Sequence, residues 1–268
     1  WTPITSVSTF NAGTAAYGNG TFVVGGNNGT SVLVSTDGVT FTTVNTGVSK
    51  QWNAITYALG QFVAVGGVGG YASSSDGNTW SGGAKGISSW SGVAYGNGVF
   101  TAVASSLGAQ AMTSADGATW NYQTVGENSW TSLAFGNGTF VAVKDGKVAT
   151  SADGATWTIT SVAILDHPYS VAFGNGVFVA ISTLGSRAWV SSDGVSWSAA
   201  ASIPAESWKA VSFGDGTFLA VADGGQTATS ADGSAWDSQG SPLGVEYLQS
   251  AAVGGGRFLA GSLTGTVR

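Results

Sequence analysis

Four acids precede an aromatic residue by one to three positions in this 268-residue chain: Glu127 before Trp130, Asp166 before Tyr169, Glu206 before Trp208 and Glu246 before Tyr247. Two lysines hold corresponding places, Lys50 before Trp52 and Lys85 before Trp90. Aromatic faces stack on the C–H surfaces of sugars while carboxylate and ammonium groups bond the hydroxyls, and small ligands are held in concave sites with a few placed polar groups. The pattern predicts a ligand site for carbohydrate, acidic across one arc and basic across the other, with Trp and Tyr rings just below. The same carboxylates would serve a glycosidase if two stood about 5 to 9.5 Å apart with one pKa raised.

Other chemistries have little to build on. His167 is the only histidine, in Leu165-Asp166-His167-Pro168-Tyr169, and no G-x-S-x-G elbow accompanies it. The chain has no cysteine, so thiolate metal sites, cysteine nucleophiles and disulfides are out of reach. Its glycine-rich turns lack a following helix and so cannot cradle phosphate. No cofactor and no metal are expected. Eight Lys and Arg against fourteen Asp and Glu supply no basic field for nucleic acid. No apolar run of about eighteen residues suggests membrane insertion.

These residues hang on a repeat. The turn Gly-Asn-Gly or a variant ends at Gly20, Gly60, Gly98, Gly138, Gly176, Gly216 and Gly256, a spacing of 38 or 40. A second phrase, S-x-D-G-x-x-W or F, ends at Phe41, Trp80, Trp120, Trp157, Trp197 and Trp236. Each unit splits into four strand-length runs; in the third these are 90–95, 99–104, 110–115 and 118–124. Four antiparallel strands repeated about every forty residues predict an all-β fold, a β-propeller. Seven Gly-Asn-Gly turns predict seven blades in a single domain over residues 1–268. Because the last unit stops short of a Ser-Asp-Gly phrase, residues 247–268 are expected to take their outer strand from residues 1–8 and so close the ring.

Both conserved-looking turns fall at one end of a blade, the bottom. The loops between the second and third strands, and between successive blades, fall at the top and differ in every copy, as in Lys144-Asp145-Gly146-Lys147 and Thr183-Leu184-Gly185-Ser186. A top-face site follows.

The phrases Ser151-Ala-Asp153-Gly-Ala-Thr-Trp157 and Ser230-Ala-Asp232-Gly-Ser-Ala-Trp236 resemble the Asp-box of sialidase-type (BNR) repeats, one residue shorter between Asp and Gly. With the preceding G-N-G-x-F-V-A-V run, the pattern is similar to glycine-rich propellers of bacterial surface proteins, phage tail proteins and a photosystem assembly factor family. The resemblance implies a propeller over the whole chain, with the Asp and Trp of each phrase serving as outer hairpin and wedge. Sialidase activity would need three convergent arginines, whereas the only arginines here are Arg187 and Arg268, around the third strands of the fifth and seventh units, and Arg257, after a turn at the opposite face. The expectation is a non-enzymatic recognition module at an extracellular or virion surface, binding a glycan or cell-surface receptor. A protein-docking disc of a larger assembly such as a phage tail is the first alternative, and a glycosidase the second.

Overall fold

The computed structural model describes residues 10–26, 29–48, 50–106, 108, 110–184, 187–200, 203–241 and 247–262. Six four-stranded antiparallel sheets follow one another. The first is β1 (Ala12–Gly18), β2 (Thr21–Gly26), β3 (Ser31–Ser35) and β4 (Thr42–Asn45), and the second β5 (Trp52–Ala58), β6 (Gln61–Gly66), β7 (Gly70–Ser74) and β8 (Ser81–Ala84). Next come β9 (Trp90–Gly96), β10 (Val99–Ala104), β11 (Gln110–Ser114) and β12 (Asn121–Thr124), then β13 (Ser132–Gly136), β14 (Thr139–Lys144), β15 (Lys147–Ser151) and β16 (Thr158–Ser161). The fifth is β17 (Pro168–Gly174), β18 (Val177–Ser182), β19 (Ala188–Ser191) and β20 (Ser198–Ala199), and the sixth β21 (Trp208–Gly214), β22 (Thr217–Ala222), β23 (Thr227–Ser230) and β24 (Asp237–Ser238). A two-stranded sheet, β25 (Leu248–Gly254) and β26 (Arg257–Ser262), follows, and β25 packs against both β21 and β1.

The expectation of seven four-stranded blades is thereby corrected: among the described residues the ring carries six four-stranded blades, with a hairpin between the sixth and the first. Counting Gly-Asn-Gly turns overcounts blades, because that turn builds only the first hairpin of a unit. The second hairpin needs a Ser-Asp-Gly phrase, and the chain has six. The strands expected at residues 1–8 and 263–268 lie outside the described residues.

Local chemistry explains the strands. In Tyr17-Gly18-Asn19-Gly20 both Asn19 (φ 48°) and Gly20 (φ 73°) take the left-handed conformation that a tight hairpin turn requires. In the Ser-Asp-Gly turns, the Asp Oδ1 accepts two backbone N–H groups, as Asp153 does from Ala155 (2.9 Å) and Thr156 (2.7 Å). The Ser hydroxyl donates to the same carboxylate and accepts the glycine N–H. In the five phrases that end in tryptophan the ring N–H donates to that glycine's carbonyl, as Trp157 does to Gly154 at 3.0 Å.

The core lies between blades. Phe22, Phe62, Phe100, Phe140, Phe178 and Phe218 are fully buried, each tilted against the aromatic ring across its own first hairpin at 4.6–4.8 Å. Valines of one sheet then pack on the first two strands of the next, Val63 and Val65 clustering with Trp90, Val93 and Phe100. The inner strands β1, β5, β9, β13, β17, β21 and β25 surround a central channel. Among the described residues no helix is long and apolar enough to cross a membrane.

Candidate functional site

The top mouth of the channel is built from the first residues of these inner strands. Position by position, counting back eight from the last turn glycine, Trp52, Trp90, Trp130 and Trp208 align with Ala12, Pro168 and Leu248. Side chains there point between blades, and all four tryptophans are completely buried. They therefore wedge the scaffold and offer no face to a ligand in the mouth. Trp130 donates its ring N–H to the Glu127 carbonyl (2.8 Å) and Trp208 to that of Pro204 (3.0 Å), which fixes the adjoining loops. Tyr169 and Tyr247 stand one residue off this register, on either side of it, and are 43% and 53% exposed.

The charged residues do not form two opposed arcs. Glu127 is clasped by Lys144 (2.6 Å) and Lys147 (2.5 Å), and the bond from Lys144 above all holds its pKa below the usual carboxylate range. Asp166 bonds Arg187 with one oxygen and His167 Nδ1 with the other (2.5 Å). Glu206 is half-buried, and Glu246 lies outside the described residues. Lys85 turns outward, donating to the Trp120 carbonyl and lying over the Tyr122 ring, 5.5 Å from its centroid. The half-buried Lys50 packs its stem against Gly70, where an added Cβ would meet it at 2.6 Å.

A feature of the inner strands replaces the predicted ring. Their pairing slips after the tryptophan position, between Ala12 and Thr14, Trp52 and Ala54, Pro168 and Ser170, Trp208 and Ala210, and Leu248 and Ser250. Such a bulge re-aims the extra residue. At the equivalent position of the second, third and fourth blades the side chain staples the next blade: Asn53 Nδ2 donates to the Trp90 carbonyl (2.8 Å), Ser91 Oγ to that of Trp130 (2.6 Å), and Thr131 Oγ1 to that of Pro168 (2.9 Å). In the fifth, the sixth and the hairpin it is Tyr169, Lys209 and Gln249, which form a cluster of their own. Lys209 Nζ lies 5.3 Å from the Tyr169 ring centroid and 3.0 Å from Asp223 Oδ2, while Gln249 Nε2 donates to Asp223 Oδ1 at 2.9 Å.

Tyr169, Lys209 and Gln249 line a cavity of about 640 Å³ at the mouth, together with hydroxyl and amide side chains such as Gln51, Asn53 and Ser91. Lys209 is the sole charged residue in its lining among the described residues. One layer down, Thr14, Ser132 and Ser170 hydroxyls accept the N–H groups of Ile55, Val171 and Val211, so these polar groups belong to the scaffold. A smaller cavity of about 350 Å³ opens beside the mouth and shares Thr131 and Tyr169 with it. On its rim, ligating atoms of Asp145, Asp166 and His167 lie within 4.8 Å of one another, a set that could hold a metal, although Arg187 already engages Asp166.

No family model and no curated protein sequence matches this chain. Solved structures do. Virginiamycin B lyase from Staphylococcus aureus superposes with a TM-score of 0.85 at 8% identity, over 99% of this chain and 96% of that one. YCF48 from Cyanidioschyzon merolae gives 0.75 at 16% identity, over 100% and 97%, and another YCF48 structure is bound to a D1 peptide. The WD40 propeller domain of Doa1 gives 0.75 at 11%, over 100% and 94%. The chain is a β-propeller.

At these identities the likeness shows the propeller fold alone. The sialidase-type resemblance gains no support from it, since a Ser-Asp-Gly hairpin is a local turn. The expectation of a non-enzymatic module is corrected by the same finding: an enzyme shares this propeller architecture. Sparse nucleophiles do not exclude catalysis, because the channel mouth provides a concave cavity whatever chemistry lines it.

Sequence reasoning missed Lys209, Asp223 and Gln249. A signal was available: counting back seven from the turn glycine reads Gly13, Asn53, Ser91, Thr131, Tyr169, Lys209 and Gln249, small or short polar residues giving way to three long ones in succession.

Proposed function

We propose that this propeller binds carbohydrate at the top mouth of its channel, around Tyr169, Lys209, Asp223 and Gln249. The observation that carries the reading is the 640 Å³ cavity lined by hydroxyl and amide groups with an exposed tyrosine at its edge. Such a lining matches a ligand rich in hydroxyls, and its size suits one or two sugar rings. Of the residues singled out by the acid-aromatic pattern, Tyr169 lines the cavity. The buried tryptophans support it from between the blades. An extracellular or virion-surface setting, where glycans are displayed, belongs to the same proposal.

Glycan-array screening followed by calorimetry tests it. Saturable binding that falls at least about tenfold in Tyr169→Ala, the loss of a stacked aromatic contact, supports the reading. Absence of binding to any glycan overturns it.

A second reading, docking of a protein or peptide, rests on a different observation. Four large apolar side chains of top-face loops are exposed: Val68 (55%), Ile87 (71%), Ile164 (42%) and Leu184 (50%). A peptide array is its test, with Ile87→Ser and Leu184→Ser expected to abolish any hit.

A further inference from the structure

We infer that Lys209 makes the mouth a subsite for a sugar that carries one carboxylate, a hexuronic acid; this rests on the carbohydrate reading above. Among the described residues that line the cavity one is charged, Lys209, and its charge is positive. A ligand cation would meet a like charge there, while a ligand carboxylate would accept from the N–H donors of Lys209 that its ion pair with Asp223 leaves over. A single carboxylate answers the site.

The ammonium is already positioned for that role. Its side chain is 18% exposed, so it is largely shielded from water, where a charge-assisted hydrogen bond gains strength. Asp223 anchors one side of it at 3.0 Å, and Asp223 is itself fixed by Gln249, so the carboxylate acts as a tether. An ammonium has three donors, which leaves others for a ligand oxygen. The Tyr169 ring beneath it keeps the Lys209 chain along the wall. Phosphate fits less well. A dianion calls for a second cation or a planar guanidinium fork, and Arg187, the nearby candidate, is committed to Asp166 outside the cavity.

The three residues concerned occupy the position that elsewhere in the ring staples blade to blade. The first blade has Gly13 at this position, and the three units before it in the ring carry long side chains that converge on one point of the mouth. Packing of the scaffold does not ask for this.

The test is titration of the 268-residue chain with a disaccharide ending in glucuronic acid and with the glucose-terminated disaccharide of the same linkage, at low salt. The uronate should bind about tenfold tighter or more, the scale of one charge-assisted bond. Lys209→Gln should erase that preference, Lys209→Arg should keep it, and raising salt should shrink it in the unmodified protein. The salt series needs no variant, so it stands even if Lys209→Gln fails to fold. Equal binding of both sugars overturns the inference and leaves the carbohydrate reading standing. Binding of neither overturns both. Lys209-dependent binding of a short peptide with a free C-terminal carboxylate, without sugar binding, overturns both in favour of peptide docking.

Discussion

Asp116, Asp153 and Asp193 sit almost bare to solvent, yet their pKa values are held down to about 2. The first cause in each is a backbone N–H donated within the turn, from Thr119, Thr156 and Ser196, which favours the ionised form. Asp37, Asp76 and Asp232 are lowered by the same bonds. A carboxyl whose folded pKa lies below its unfolded value of about 3.9 contributes stability above that value and loses it as pH falls through the folded one. The melting temperature should therefore be flat from pH 7 to 5 and fall steeply from about pH 4 towards 2. Thermal melts across that range check it, with Asp153→Ala expected to melt a few degrees lower at pH 7 and to show a shallower acid fall. A melting temperature independent of pH down to 2 would show that these turns do not govern acid stability.

At the scale of elements, the Gly-Asn-Gly turn does three jobs with three residues. Its first glycine permits close approach: a Cβ on Gly136 would stand 2.1 Å from the Phe173 ring of the next blade. Its asparagine, besides taking φ near 48°, reaches across, as Asn137 Nδ2 donates to the carbonyls of Gly176 (3.1 Å) and Ser192 (2.9 Å). Its last glycine carries the second positive φ. Gly136→Ala should cost about 1–3 kcal/mol by overpacking, read in urea unfolding. In the second blade the asparagine is replaced by Leu59, left-handed at φ 52° and 60% exposed. Leu59→Asn should relieve about 1 kcal/mol of backbone strain and raise the melting temperature by about 2–4 °C. A lower melting temperature would show that Leu59 packs usefully.

For the whole molecule, the two faces are independent by construction. The bottom is a girdle of hydrogen-bonded turns, and the top carries the charged and aromatic loops around the channel. Between them small and branched apolar residues, Ala15, Val93, Leu133, Val171, Val211 and Ala251, form a waist that lines both the upper and the lower cavity. Asn137→Gly keeps the turn's backbone and removes two inter-blade bonds. It should lower the melting temperature by several degrees and leave ligand affinity at the mouth unchanged, whereas Tyr169→Ala should do the reverse; a shared effect would reveal coupling through the waist. Calorimetric melting and ligand titration of both variants and their double mutant separate these outcomes.

What the sequence by itself determined is what local chemistry governs. Turns that need positive φ, carboxylates that bond N–H groups two and three residues ahead, and strands of set length between them can be read along the chain, because every partner is a near neighbour in sequence. The all-β class, the four-strand unit and the variable top face followed from these. Blade number did not follow, since one type of hairpin is only half a blade. The direction of the aromatics also did not follow: Trp130 and Tyr169 look alike beside an acid, but a single-residue offset at a bulge buries one and exposes the other. The cluster of Tyr169, Lys209, Asp223 and Gln249 was decided by tertiary structure alone. Its members lie on three successive units, 14 to 80 positions apart, and only closure of the ring brings them to one side of one channel.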